Sequence, residues 1–210
     1  MKQFKTLSTI ALIFTFSTVS AQLSEGPFEQ LIVRGVTLIN GNGAPPIGPV
    51  DVVVEKNIIR EVSVVGYPGV EIDPKKRPQL RNGGKEIDAH GMFLLPGFID
   101  MHGHIGGVAQ GADWDYVFNL WLAHGITTAR EPSGRDRDWT LDLKKRSEKN
   151  EIIAPRIIQY TGFGQGSKYE ISTPEQARAW VRENAKAGSD GIKFFGAAPE
   201  IMEASLDENN

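Results

Sequence analysis

Residues 93–104 read FLLPGFIDMHGH, an apolar run that ends in two histidines, His102 and His104. Such a run predicts a buried β-strand, and because successive strand side chains point to opposite faces, residues two apart share one face. Gly103 keeps the other face small. Neutral imidazole is a common ligand of zinc and similar divalent ions. The stretch predicts a metal-binding pair; the alternative is a pair of histidines that only satisfy their own hydrogen bonds.

From residue 93 onward the sequence alternates between strand and helix patterns, which is typical of a parallel sheet wrapped by helices. We predict four βα units, with a first strand that ends at His104 and further strands at residues 126–130, 156–161 and 191–195. Helices are expected near residues 114–124, around 139–150, from Thr173 to Gly188, and from Pro199. The third helix has the clearest signals, because Thr173 and Gln176 can form a capping box and Gly188 can end it.

Residues 31–65 consist of β-branched runs separated by turn residues, and a strand pattern resumes at residues 85–90 after a connection rich in proline and lysine. This arrangement predicts a small β layer. We therefore predict one domain over residues 22–92 and a second over residues 93–210.

The composition excludes several classes of protein. The chain has 210 residues, of which 40% are apolar and 23% charged, with a formal charge of −3 and no cysteine. These values are typical of a globular protein, and they leave no disulfide framework and no thiolate chemistry. No basic cluster attracts nucleic acid, so we expect no nucleic-acid partner.

Residues 1–21 have the pattern of a signal peptide. Lys2 and Lys5 precede an apolar run over residues 7–19, and small residues stand before a cleavage site near Ala21. We expect an exported protein, periplasmic or secreted, without a stable membrane anchor; the alternative is an uncleaved anchor. Cleavage would leave 21 basic and 26 acidic residues, a formal charge of −5.

Several segments together resemble the amidohydrolase superfamily. They are LIVRGVTLINGNG at 31–43, VDVVVEKNII at 50–59, IDA at 87–89, the 93–104 stretch, GITTAR at 125–130 and GSDGIK at 188–193. The resemblance implies a β-sandwich followed by a (β/α)8 TIM barrel. Such a barrel needs about 250 residues, whereas residues 98–210 number 113. We expect this chain to be the N-terminal part of a longer enzyme, with about half of the barrel.

The resemblance also implies the metal ligands. His102 and His104 would bind the more buried of two divalent ions, expected to be zinc. Lys193 lies in an apolar strand, where an ammonium group is costly to bury; in the superfamily such a lysine is carboxylated and bridges the two metals. The alternative is a salt bridge inside the barrel. Two further histidines and the catalytic aspartate of strand 8 are expected beyond Asn210.

Other polar residues have more open roles. Asp100 is predicted either to orient a ligand or to make a structural hydrogen bond, and Arg130 and Glu131 either to contact substrate or to form an ion pair inside the barrel. His124 is expected at a helix end and His90 in a turn. Residues 162–168 lack the spacing of a phosphate-binding loop and predict a flexible loop near the active site.

The function implied is metal-dependent hydrolysis of a carbon–nitrogen amide bond by metal-activated hydroxide, in the prolidase-like and imidazolonepropionase-like branch. A dipeptide or N-acyl amino acid is the expected substrate. One alternative is a single-metal deaminase or cyclic-amide hydrolase with unmodified Lys193, and another is a non-catalytic module that retains the fold. Residues 22–210 alone are expected to be inactive.

Overall fold

The computed structural model describes residues 25–107, 111–133 and 136–209. The predicted signal peptide lies outside these residues. Within the described part of the chain, no helix is both long and apolar enough to cross a membrane.

The first sheet has five strands. β1 and β2 pair antiparallel, as do β2 and β3, whereas β4 and β5 both pair parallel to β1. The strands are β1 (Gln30–Leu38), β2 (Ile47–Glu55), β3 (Ile58–Val64), β4 (Lys85–Asp88) and β5 (Phe93–Leu94). Val36, Val50, Val52 and Ala89 form its core. The predicted β layer is confirmed as a sheet, but Phe93 and Leu94 belong to it and do not begin the parallel sheet as predicted.

A buried acid supports this sheet. The Asp51 side chain is fully buried and receives hydrogen bonds from Arg77 at 2.8 and 2.9 Å, from the backbone N–H of Gly35 at 2.8 Å and from Arg34 at 3.1 Å. Burial raises the pKa of the Asp51 carboxyl, but these donors outweigh burial and the pKa is lowered overall.

The second sheet has four parallel strands in sequential order, β6-β7-β8-β9, joined by helices, so the predicted alternation is confirmed. The strands are β6 (Phe98–Asp100), β7 (Ile126–Pro132), β8 (Arg156–Gly162) and β9 (Gly191–Lys193). The helices are α1 (Trp114–Ala123), α2 (Arg137–Glu148), α3 (Pro174–Ala187) and α4 (Pro199–Glu208). Among the described residues, β6 and β9 are the two edges of this sheet.

Capping side chains set the helix ends. Thr173 and Gln176 form the predicted capping box of α3, and Gly188 ends the helix with a left-handed φ of 104°. α2 begins two residues earlier than predicted, because the Asp136 carboxylate accepts the N–H groups of Asp138 and Trp139.

The core of this second unit lies between the sheet and its helices. Ile105, Phe118, Leu143 and Ile157 are almost fully buried and in contact, with Trp114, Trp121 and Trp139 packed against them. Ile105 follows His104 directly. The chain segment that carries the two histidines is therefore anchored in the core on its C-terminal side.

Candidate metal centre

β6 ends at Asp100, so the prediction of a strand running to His104 is wrong at its end. The Asp100 carboxylate accepts the backbone N–H of His102 at 2.9 Å, which turns the chain out of regular strand geometry. The backbone N–H of Gly103 donates to the carbonyl of Arg130 at 3.1 Å and keeps the segment beside β7. Asp100 thus makes the structural hydrogen bond that was one of its two predicted roles.

The two histidine rings nevertheless lie together. Their centroids are 5.4 Å apart and their planes are nearly perpendicular, at 85°. Gly103 between them has no room for a side chain, because a Cβ there would lie 2.8 Å from Cζ2 of Trp121 and 3.1 Å from the Asp100 carboxylate. Glycine at position 103 therefore allows Trp121 to pack against the segment.

His104 is held by Glu131 of the neighbouring strand. Nδ1 of His104 lies 3.0 Å from Oε1 of Glu131, and Oε2 of Glu131 accepts the backbone N–H of Ile105 at 2.7 Å. The Glu131 side chain is 1% exposed, whereas that of His104 is 43% exposed. The ring is therefore fixed from its buried side and its Nε2 edge is left for another partner.

The sequence alone did not identify His104 as the partner of Glu131. Its neighbour Arg130 makes different contacts: Nε donates to the Met101 carbonyl at 2.7 Å, and the guanidinium lies 5.1 Å from the ring centroid of Tyr160. The sequence contains one signal for this contact. Glu131 is an acid near the carboxyl end of the second parallel strand, and that end lies at the same sheet edge as the residues that follow the first parallel strand.

Lys193 is the last residue of β9 and is half-buried. Its Nζ lies 5.6 Å from the ring centroid of Phe195, which is 81% exposed. Two strands separate β9 from β6, a distance of about 14 Å across a flat sheet with a strand spacing of about 4.8 Å. Convergence of Lys193 with His102 and His104 depends on curvature of the sheet and stays a prediction.

The remaining predicted positions lie away from this pair. His124 caps the C-terminal end of α1, with Nδ1 2.7 Å from the Leu120 carbonyl, and the backbone N–H of His90 donates to Asp88 in a turn, as predicted for both. The 162–168 loop leaves the carboxyl end of β8, where the Gln165 side chain accepts the N–H of Gly162 at 2.8 Å.

The side chains around His102 and His104 form a partial ligand set for the implied metal. Within the described residues, no three histidine or acidic side chains already converge as a complete ligand set. The residues present still fit a metal ion, because two imidazoles lie side by side and one of them is held by a carboxylate through its other nitrogen. Histidines that bind metals usually have such a hydrogen bond.

The fold is similar to that of solved amidohydrolase-type structures. A putative prolidase from Bifidobacterium longum aligns with a TM-score of 0.61 and 21% identity, over 87% of this chain and 47% of that chain. A prolidase complexed with N-methylphosphonate-L-proline aligns with a TM-score of 0.64 and 19% identity, over 85% and 53%. L-hydantoinase (dihydropyrimidinase) from Arthrobacter aurescens aligns with a TM-score of 0.55 and 19% identity, over 86% and 38%.

At these identities the likeness establishes the fold. The chain has a mixed α/β fold with a parallel sheet, similar to that of these solved structures, and the resemblance inferred from the sequence is confirmed at the level of the fold. This chain spans about half the length, or less, of the solved structures that it resembles. No protein-family model and no curated protein matches the sequence.

Proposed function

We propose that this chain forms the N-terminal part of a metal-dependent hydrolase that cleaves carbon–nitrogen amide bonds. The single observation that carries the proposal is the adjacent His102 and His104 pair, with His104 held by the buried carboxylate of Glu131. The fold shared with prolidase and hydantoinase structures supports it. In this proposal residues 93–210 are the first half of a (β/α)8 barrel and residues 22–92 belong to a β-sandwich domain.

Each named residue has a defined task. His102 and His104 would hold zinc through ring nitrogens, and Lys193, carboxylated on Nζ, would supply a carboxylate ligand to the same metal centre. Bound divalent ions supply an activated water molecule and polarise the scissile carbonyl, so no protein nucleophile is needed. In this proposal an aspartate on an eighth barrel strand would transfer the proton to the leaving amine.

The proposed substrate is a dipeptide or an N-acyl amino acid that meets the enzyme after export. The prolidases among the similar structures favour this choice. The hydantoinase favours a second candidate, hydrolysis of a cyclic amide. A cyclic-amide hydrolase that uses one metal ion would leave Lys193 unmodified. The number of bound metal ions therefore distinguishes the two candidate functions.

The test is the metal content and activity of the full-length protein, purified with zinc and assayed on Xaa-Pro dipeptides and on a hydantoin. We expect two zinc ions per chain and dipeptide hydrolysis that a chelator abolishes. His102→Ala should lose zinc and activity together, whereas His90→Ala, an exposed turn histidine, should retain both. One zinc with hydantoin hydrolysis would favour the second candidate, and no bound metal would contradict both.

A further inference from the structure

The Glu131 carboxylate is buried and both of its oxygens are used. Oε1 faces Nδ1 of His104 at 3.0 Å, and Oε2 accepts the backbone N–H of Ile105 at 2.7 Å. These two contacts belong to consecutive residues, so a single side chain fixes both the ring of His104 and the backbone that follows it.

The charge of Glu131 has one nearby partner in the described part of the chain. No lysine or arginine nitrogen of residues 25–107, 111–133 or 136–209 pairs with it, and its side-chain partner is the His104 ring, which is an ion pair only when that ring is protonated. A carboxylate that is 1% exposed is costly without a compensating positive charge. A cation bound at Nε2 of His104 would place a positive charge about one imidazole ring away from the Glu131 carboxylate.

The contact with Glu131 also selects one tautomer of the His104 ring. An ionised carboxylate accepts hydrogen bonds and cannot donate them, so Nδ1 must carry the proton in the contact with Oε1. In the neutral ring Nε2 then has the free lone pair. Because Nδ1 faces Glu131, this lone pair points away from the Glu131 carboxylate. The centroid of the His102 ring lies 5.4 Å from that of His104.

The hydrophobic core also fixes the backbone next to His104. Ile105 is 1% exposed and packs with Phe118 and Leu143, so the backbone that Oε2 holds is also fixed by apolar contacts. β7 supplies the third anchor, because Glu131 lies in the strand that pairs with β6 and β8. The ring of His104 is therefore set by the fold before any metal binds.

We propose that Glu131 is the positioning residue of the metal centre: it fixes His104 as the Nδ1–H tautomer and directs Nε2 to the ion. This inference rests on the proposed function, since it assigns Glu131 a role in the same site. Glu131 acts through His104 and does not touch the substrate.

The first test determines the tautomer of His104 in the unsubstituted protein. Long-range ¹⁵N–¹H correlation spectra of histidine-labelled, metal-free full-length protein contain one ring pattern for each histidine, and a His104→Ala variant identifies that of His104. We expect the Nδ1–H pattern for His104 at neutral pH. An Nε2–H pattern would overturn the proposal.

The second test is the zinc affinity of Glu131→Gln, measured by competition with a chelating dye. The glutamine NH₂ group cannot accept a hydrogen bond, so the variant cannot satisfy both Nδ1–H of His104 and N–H of Ile105. We expect zinc to bind about 10- to 100-fold more weakly and the His104 ring to shift toward the Nε2–H form. Glu203→Gln, which removes the same charge from the exposed surface of α4, should change neither.

The results of these tests distinguish the proposed role of Glu131 from the proposed hydrolase function. Zinc binding by the unsubstituted protein and by Glu131→Gln with equal affinity would overturn the role of Glu131 and leave the hydrolase proposal intact. Failure of the unsubstituted protein to bind zinc would overturn the metal-dependent function and, with it, this role. If Glu131→Gln does not fold, the tautomer in the unsubstituted protein still decides.

Discussion

Gly103 lies against the indole of Trp121, at a distance that leaves no space for a Cβ: an added methyl would be 2.8 Å from Cζ2. Gly103→Ala should therefore displace either α1 or the segment with the two histidines, and lower the free energy of unfolding by about 1–3 kcal/mol. We expect weaker zinc binding as well. Chemical denaturation and zinc titration would measure these effects.

The clash with Trp121 can be separated from a general effect of alanine. In a Trp121→Phe background the Cζ2 atom is gone, so Gly103→Ala should cost less stability than in the natural sequence. An equal loss in both backgrounds would show that Trp121 is not the neighbour that excludes a side chain.

Lys193→Ala should lower metal content and activity together, because the proposed carboxylate ligand is lost. Lys186→Ala, an exposed lysine in the last turn of α3, is the matched control and should leave both unchanged. Metal analysis and dipeptide hydrolysis by the full-length protein test this prediction. Full activity with unchanged metal content in Lys193→Ala would refute the proposed role of Lys193.

The Asp51 network predicts the pH dependence of stability. Because the folded-state pKa of Asp51 is lowered, its contribution is fully present above the unfolded value of about 3.9 and is lost as the pH falls through the folded value. Asp51→Asn should flatten this acid-range dependence and destabilise the fold by about 3 kcal/mol, since it removes the buried carboxylate that pairs with the partly buried Arg77 and leaves Arg34 paired with Glu86.

Urea unfolding between pH 2 and 7 would measure both effects. Asp142→Asn is the control, because that acid is exposed and its pair with Arg146, at 3.6 Å, contributes little. Equal acid dependence in Asp51→Asn and the unsubstituted protein would contradict the assignment.

A chain of residues 22–210 expressed alone should self-associate and show no amidase activity. The edges of the parallel sheet expose apolar side chains: Phe98 is 60% exposed and Ile99 59% exposed on β6, and Phe195 is 81% exposed after β9. Unpaired strand edges with apolar side chains pair with other chains. Light scattering after size-exclusion chromatography would measure the association, and Ile99→Lys should reduce it. A monomer with cooperative unfolding and zinc-dependent activity would contradict the prediction.

Local signals were sufficient for much of the second unit. The α3 boundaries follow from Thr173, Gln176 and Gly188, which lie within or beside the helix that they cap, and His90 and His124 were placed correctly because a turn and a helix end depend on neighbouring residues. The strand and helix alternation was predictable for the same reason, since side-chain periodicity is read from adjacent residues.

Tertiary structure decided the environment of the two histidines. β6 ends at Asp100 because the Asp100 side chain captures the backbone of His102, and Phe93 and Leu94 join the first sheet because β1 offers them a parallel partner. Glu131 and His104 are 27 residues apart and meet because β6 and β7 are adjacent. The 93–104 stretch by itself identified two histidines as candidate metal ligands, but strand pairing determined which carboxylate contacts His104, because hydrogen-bond partners distant in sequence are chosen by packing.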